Sequence, residues 1–339
     1  MKVYIDSYNT CIQNKAGGVQ SKIKDTYAHL LLKGFDVKLF DKWHDKVEEC
    51  DILHLFKLSN EYFSLLQLAK QRGVKIVLSS IVALQGERRL FTGMMLWKYL
   101  RIPTPISYSK RIIDLSDILI TETILEKEFL CKNYKVPESK VVVIPNGISP
   151  KVLNGDPQLF RQEYGLNGKF VLQVGRFDKN KNQLTLVRAL KGTDIPVVFI
   201  GGPDSSDLEY FDQCKREATS NMIFTGWMDH SNPLFSSALA AADVLVLPSH
   251  KEIFGNVIFE GIANSCKIVA TNVLPIKHWN LGDMVIPINP YDEKDIRQAV
   301  LHSMSMECNN DIVNKVLNDY SFSNIAEQHI SIYKSILGK

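Results

Sequence analysis

Residues 244–271 read VLVLPSHKEIFGNVIFEGIANSCKIVAT, and this stretch narrows the fold more than any other. Residues 244–248 form an unbroken apolar run. Such a run fits a strand covered on both faces, as in a parallel sheet, better than one with a wet face. Residues 249–252 are a polar turn. Residues 256–263 place Val257, Ile258 and Ile262 on one helical face, and residues 267–271 are the next strand. Glu252 and Glu260 stand eight residues apart across the loop–helix junction, with Gly255 between them. The first N–H groups of a helix have no partner within it and make a ready site for an anion. At helical rise the two carboxylates lie roughly 8–12 Å apart. Spacing alone leaves two readings open. The pair marks the two ends of an extended, phosphate-containing ligand, or both are solvated charges that the helix dipole favours.

The same alternation runs through the chain. Strands are expected at 1–6, 37–40, 52–56, 74–79, 118–121 and 141–144, with helices at 19–33, 61–72 and up to about 133. Pro145-Asn146-Gly147 is a turn that marks the domain junction. A second series follows: strands at 170–174, 197–200 and 223–225, helices at 183–190 and 233–241, then the opening stretch. A strand and a loop occupy 281–289, and the remainder is helical. Repeated strand–helix alternation argues for α/β units with parallel sheets and right-handed crossovers. The 339 residues suit two such domains of about 150 residues each. We expect two doubly wound, Rossmann-like domains facing across a cleft. The first spans 1–147 plus a returning C-terminal helix, 322–339, and the second spans 148–321.

Composition removes several classes of function. The net charge of +3 is too small to argue for nucleic acid. No run reaches the roughly 18 apolar residues that a membrane span needs, and MKVYIDSY begins a strand without a signal-peptide core. The six cysteines are scattered without a CxxC pair, which fits reduced thiols in a cytoplasmic protein. Residues 86–111 depart from the pattern. They carry Arg88, Arg89, Lys98, Arg101, Lys110 and Arg111 against one acid, Glu87, with Phe91, Met94, Met95, Leu96, Trp97, Tyr99 and Leu100 interleaved. Two readings fit: a surface for an anionic membrane or a lipid-linked substrate, or a core helix with solvated basic flanks.

Chemistry is concentrated at strand ends, where ligands of such sheets bind. The loop 175–182, GRFDKNKN, follows one strand and precedes a helix. Its Arg176 offers a planar fork to phosphate oxygens and its Lys181 a compact charge. It is not a P-loop, since GxxxxGK[ST] is absent. Gly17-Gly18, His54 and Ser79-Ser80 also fall at strand ends.

Taken together, these motifs resemble those of retaining glycosyltransferases of family 4, which share the GT-B fold. VGRFDKNKN resembles that family's G-R-x-x-x-x-K phosphate loop. ADVLVLPSHKEIFGNVIFEG resembles its A-D-x-x-x-x-P-S followed by E-x-F-G-x-x-x-x-E. Gly17-Gly18-Val19 resembles its N-terminal glycine-rich loop, and Pro145-Asn146-Gly147 its interdomain turn. The likeness covers essentially the whole chain. It implies a hexosyltransferase that moves a sugar from a UDP- or GDP-sugar to a glycan or lipid-linked acceptor in cell-surface polysaccharide synthesis. It also implies that no metal or other cofactor is needed. Arg176 and Lys181 would neutralise the donor diphosphate, Glu252 would meet hydroxyls of the donor sugar, and Glu260 would accept the ribose hydroxyls. Main-chain groups of Ile253, Phe254, Gly255, Asn256 and Val257 would bind sugar and phosphate. Those around Met228 would meet the base, and Gly17 and Gly18 would let the first loop approach the phosphates or the acceptor. In this likeness Arg176, Lys181 and Glu252 carry the catalysis.

One departure stands out. Many relatives carry a histidine, touching the donor sugar, where this chain has Ser80. His54 is a candidate substitute, and a strand-end histidine with a structural partner fits equally. An acceptor domain that holds the basic-aromatic stretch 87–111 implies a peripheral position on the inner face of the cell membrane. Two rival readings of function are a sugar-nucleotide epimerase or hydrolase on the same fold, and a catalytically silent binding subunit.

Overall fold

The structure, a computed structural model, describes residues 1–7, 18–82 and 87–338. The chain divides into two compact units, Met1–Gly147 with Phe322–Lys339, and Ile148–Ser321. Each is built on a six-stranded, all-parallel sheet.

In the first unit the strands are β1 (Lys2–Asp6), β2 (Asp36–Leu39), β3 (Ile52–Phe56), β4 (Lys75–Ser79), β5 (Ile118–Thr121) and β6 (Val141–Val143). Their order across the sheet is β2-β1-β3-β4-β5-β6. The central strands read as continuous apolar runs because both faces are covered: every residue of β3 is buried. The edge strand β2 keeps only Val37 inside. In the second unit the strands are β7 (Val171–Val174), β8 (Val197–Ile200), β9 (Met222–Gly226), β10 (Val244–Leu247), β11 (Lys267–Thr271) and β12 (Val285–Ile288). Their order is β12-β11-β10-β7-β8-β9. Counted from the start of that unit this is the 3-2-1-4-5-6 arrangement of dinucleotide-binding folds, whose direction reverses between β7 and β10.

The chain leaves and re-enters the first unit at a tight point. A Cβ on Gly147 would lie 2.7 Å from the ring of Phe322, so only glycine fits there. Phe322 stacks on His29 at 5.1 Å and opens the helix Phe322–Ile336, whose Ile325, Ala326 and Tyr333 complete the core beside β1 and β3.

Several elements differ from the sequence reading. The basic-aromatic stretch is two helices, Glu87–Leu100 and Pro105–Leu115. The break falls at Arg101, which adopts a left-handed φ of 56°, and Thr104 then caps the second helix in a capping box with Ser107. The helices Pro157–Tyr164 and Leu208–Glu217 were not expected. Both are mostly polar, and each buries only one or two side chains. Among the described residues no helix is long and apolar enough to cross a membrane, and Cys50, Cys131, Cys214, Cys266 and Cys308 are free thiols.

Candidate active site

The reversal of strand order in the second unit brings together the two loops that carry the chemistry. β7 and β10 are parallel neighbours, so the loop after β7 (175–182) and the loop after β10 (248–255) emerge side by side at their carboxyl ends. A lattice of neutral hydrogen bonds ties one to the other. Asn182 Nδ2 donates to the carbonyls of Pro248 (2.9 Å) and Pro290 (2.7 Å). Asn180 Nδ2 donates to the Lys251 carbonyl (3.0 Å), and the His250 N–H donates to the Asn180 carbonyl (2.8 Å). The close approach of the β8 end also matters: a Cβ on Gly201 would sit 2.0 Å from the Gly175 carbonyl oxygen.

On this frame the cations are placed by carboxylates. Arg176 donates from its Nε (2.9 Å) and a terminal nitrogen (2.6 Å) to one oxygen of Asp178, and its other terminal nitrogen lies 3.2 Å from Asp204. The hydrogen bond to Asp178 raises its pKa above an already high value. Asp178 itself is fixed by the Lys181 N–H, which donates to its second oxygen at 2.7 Å. The Lys181 ammonium reaches across to Glu252, with Nζ and Oε2 2.7 Å apart. The sequence pattern marked Arg176, Lys181 and Glu252. It missed Asp178 and Asp204, because their role shows only once side chains are placed.

The helix Asn256–Ala263 begins beside this cluster. Gly255 is its N-cap, with φ 72° and ψ 61°, a left-handed conformation that glycine adopts without the penalty of a Cβ. Phe254 turns its ring inward, stacked on Phe259 at 4.5 Å, so only its main chain is left for a ligand. Ile253 and Val257 flank the turn, half-buried. Glu260 sits one turn into the helix and is buried to 7% exposure, about 6 Å along the axis from the helix start. Met228, after β9, packs on the core of the same unit, and Trp227 beside it is exposed. His250 stacks on Tyr291 at 4.5 Å, and burial lowers its pKa.

The first unit corrects two expectations. His54 is wholly buried: Nδ1 pairs with the Tyr333 hydroxyl (2.7 Å) and Nε2 with Ser79 Oγ (2.9 Å). Burial, with His329 and Lys22 nearby, holds its pKa well below the usual histidine range. It is a neutral imidazole of the core and has no face left for a sugar. Ser80 is also buried, and its hydroxyl donates inward to Glu126 (2.8 Å). Glu126 further accepts from the N–H groups of Val82 (2.7 Å) and Glu122 (2.9 Å). Burial, with the Glu122 charge adding, pushes its carboxyl up to about 7. Gly18 begins the helix Gly18–Leu32, and Gly17 lies outside the described residues.

Comparison with known proteins finds similarity over the unit that holds these loops. Residues 157–303 match the family model described as Glycosyl transferases group 1, which places both loops and both glutamates inside the matched region. That region, less than half of the chain, is therefore similar to a glycosyltransferase group 1 domain. The chain is 32% identical over 231 residues to an uncharacterized glycosyltransferase of Methanocaldococcus jannaschii, covering 61% of this chain and 57% of that protein. It is 24% identical over 250 residues to the processive diacylglycerol alpha-glucosyltransferase of Acholeplasma laidlawii, covering 70% and 74%. The chain thus spans little more than half of the first relative and about three quarters of the second. Among solved structures, sucrose-phosphate synthase from Thermosynechococcus elongatus superposes with a TM-score of 0.80 over 100% of both chains at 17% identity. An Anabaena protein solved in complex with UDP gives 0.77 over 99% of this chain and 100% of that one, at 13% identity. At these identities the likeness defines the fold, which is GT-B.

Proposed function

We propose that the protein is a retaining, metal-independent glycosyltransferase of family 4. It moves a sugar from a UDP- or GDP-sugar to a glycan or lipid-linked acceptor in the synthesis of a cell-surface polysaccharide or glycolipid. The observation that carries this reading is the convergence, at the β7/β10 reversal, of Arg176, Lys181 and a glycine-capped helix start with Glu252. Breaking a glycosidic bond to a diphosphate leaves growing negative charge on that diphosphate. Two cations and the N–H groups of a helix start, fixed beforehand, stabilise such a leaving group. They supply the positive charge that a divalent cation would otherwise bring. Glu252 takes hydroxyls of the donor sugar and Glu260 those of the ribose. Main-chain groups of residues 253–257 hold sugar and phosphate, and those near Met228 meet the base. In this reading the acceptor attacks from the face the diphosphate leaves, and the departing phosphate takes its proton.

A lipid-linked acceptor is supported by the names of two relatives. One is the diacylglycerol alpha-glucosyltransferase above. The other is an N-acetylgalactosaminyltransferase of Campylobacter jejuni whose named substrate is a diphospho-undecaprenol, 29% identical over 160 residues. It is also supported by Tyr99, Leu100 and Ile102, exposed beside Arg101 in the first unit. Arg111 does not share that role. Its guanidinium sits 4.0 Å over the Phe63 ring and faces Trp97 and Tyr108. Binding of the protein to anionic vesicles in a flotation assay is the expected result for a membrane-surface enzyme. Its absence, with activity on a soluble acceptor, would refute that part.

The experiment for the class is incubation with a panel of UDP- and GDP-sugars, first alone and then with acceptor. A transferase releases little sugar until acceptor is added, its product keeps the donor's anomeric configuration, and EDTA leaves its rate unchanged. Rapid release or interconversion of sugar from donor alone would favour a hydrolase or epimerase.

A further inference from the structure

We infer that the Lys181–Glu252 ion pair is a stand-in for the donor diphosphate: nucleotide binding moves Lys181 from Glu252 to phosphate, and only then is the Glu252 carboxylate released to the sugar. This rests on the donor reading above and adds an order of events to it.

Three observations lead here. First, the two residues assigned to different parts of the ligand are bonded to each other at 2.7 Å, half-buried, from separate loops. Second, the pair is not what joins those loops. Asn182, Asn180 and the His250 N–H already do so through neutral hydrogen bonds to carbonyls, so the ion pair can open without moving the frame. Third, Arg176 is already held by two carboxylates, Asp178 and Asp204, whereas the Lys181 ammonium meets Glu252. Asp178 differs, because the Lys181 N–H and the Arg176 fork both fix it in place.

The consequence is a rule for recognition. A partner must bring more negative charge than one carboxylate to take Lys181 away, and a diphosphate does so. A nucleoside, or a free sugar, does not. Reading of the sugar by Glu252 then follows engagement of the phosphates.

The test is calorimetric titration of the full chain with UDP and GDP, and with uridine and guanosine. It uses the wild type, Glu252→Gln, Lys181→Ala and the double variant. The expected result is that Glu252→Gln binds the preferred diphosphate about two- to fivefold more tightly than wild type, the range for loss of a competing ion pair. Its nucleoside affinity is unchanged, and its turnover with nucleotide sugar falls. In the Lys181→Ala background the same change gives little or no gain, since the coupling between the two residues is then absent. Unchanged or weaker diphosphate binding in Glu252→Gln overturns the inference. So does an equal gain with and without Lys181, which would mean simple repulsion through space. Glu252→Asp, one methylene short of the contact, is expected to shift binding the same way and serves if the Gln variant fails to fold. A wild type that binds neither UDP nor GDP refutes the donor reading itself.

Discussion

In the proposed site Lys181 and Glu260 serve different parts of the donor and are expected to fail differently when removed. In the proposed reaction Lys181 meets charge that grows as the glycosidic bond breaks, so its contribution is expected to be largest in the transition state. Lys181→Ala is expected to lower kcat by two or more orders of magnitude, about 3 kcal/mol or more. Glu260, buried to 7%, is assigned to ribose hydroxyls that are bound before and during reaction. Glu260→Ala is expected to cost at least as much in turnover at low donor, with a larger share appearing as raised KM. Steady-state kinetics across donor concentration separates the two patterns. Near-wild-type kcat/KM in both variants would refute the site. At the same scale the structure withdraws His54 from the site, since both its ring nitrogens are bonded within the core. A strand-end position does not say which face a side chain takes, and that ambiguity is why the sequence left His54 open.

The strand–loop–helix unit from β10 to the helix Asn256–Ala263 depends on one backbone conformation. Gly255 has φ 72°, and a Cβ there would lie 3.0 Å from Leu247 Cδ2. Gly255→Ala combines left-handed strain of about 1–2 kcal/mol with that contact. Its melting temperature is expected to fall by about 3–6 °C, at the 2–4 °C per kcal/mol usual for a domain of this size. Nucleotide binding is expected to weaken as the helix start turns away. An unaltered melting curve and affinity would show that the turn tolerates a side chain. This element was legible in the sequence because a strand buried on both faces has nothing but apolar residues, and β10 is VLVL. The helices Pro157–Tyr164 and Leu208–Glu217 were not legible. Their sequences PQLFRQEY and LEYFDQCKRE bury Phe160, or Tyr210 and Cys214, with Tyr164 and Phe211 partly covered, and are otherwise mostly polar. The pairing of Lys181 with Glu252 was out of reach for another reason: the residues are 71 positions apart. Only the adjacency of β7 and β10 brings them together.

At the scale of the whole molecule, acid and base act on the first unit through three buried groups, two histidines and a glutamate of opposite sign. His329 is fully buried, and burial lowers its pKa to about 4. The unfolded chain takes up that proton near pH 6.5. Stability from His329 is therefore complete above about pH 6.5 and is lost as pH falls towards 4, by about 3 kcal/mol at most. His54, whose pKa lies well below normal for the same reason, adds to this slope. Glu126 works the other way. Its folded pKa is about 7 and its unfolded value about 4.3. Its contribution is complete below about pH 4.3 and is lost as pH rises to 7, by about 4 kcal/mol at most. In the wild type the slopes oppose each other between about pH 4.3 and 6.5, with the two histidines ahead, so stability should fall gently with acid. Glu126→Gln removes the opposing slope and should make the loss on acidification steeper. His329→Phe should flatten or invert it. Melting temperatures by calorimetry from pH 4.5 to 7.5 on the three proteins decide the matter. Profiles that stay parallel would show that neither group changes its protonation when the unit unfolds.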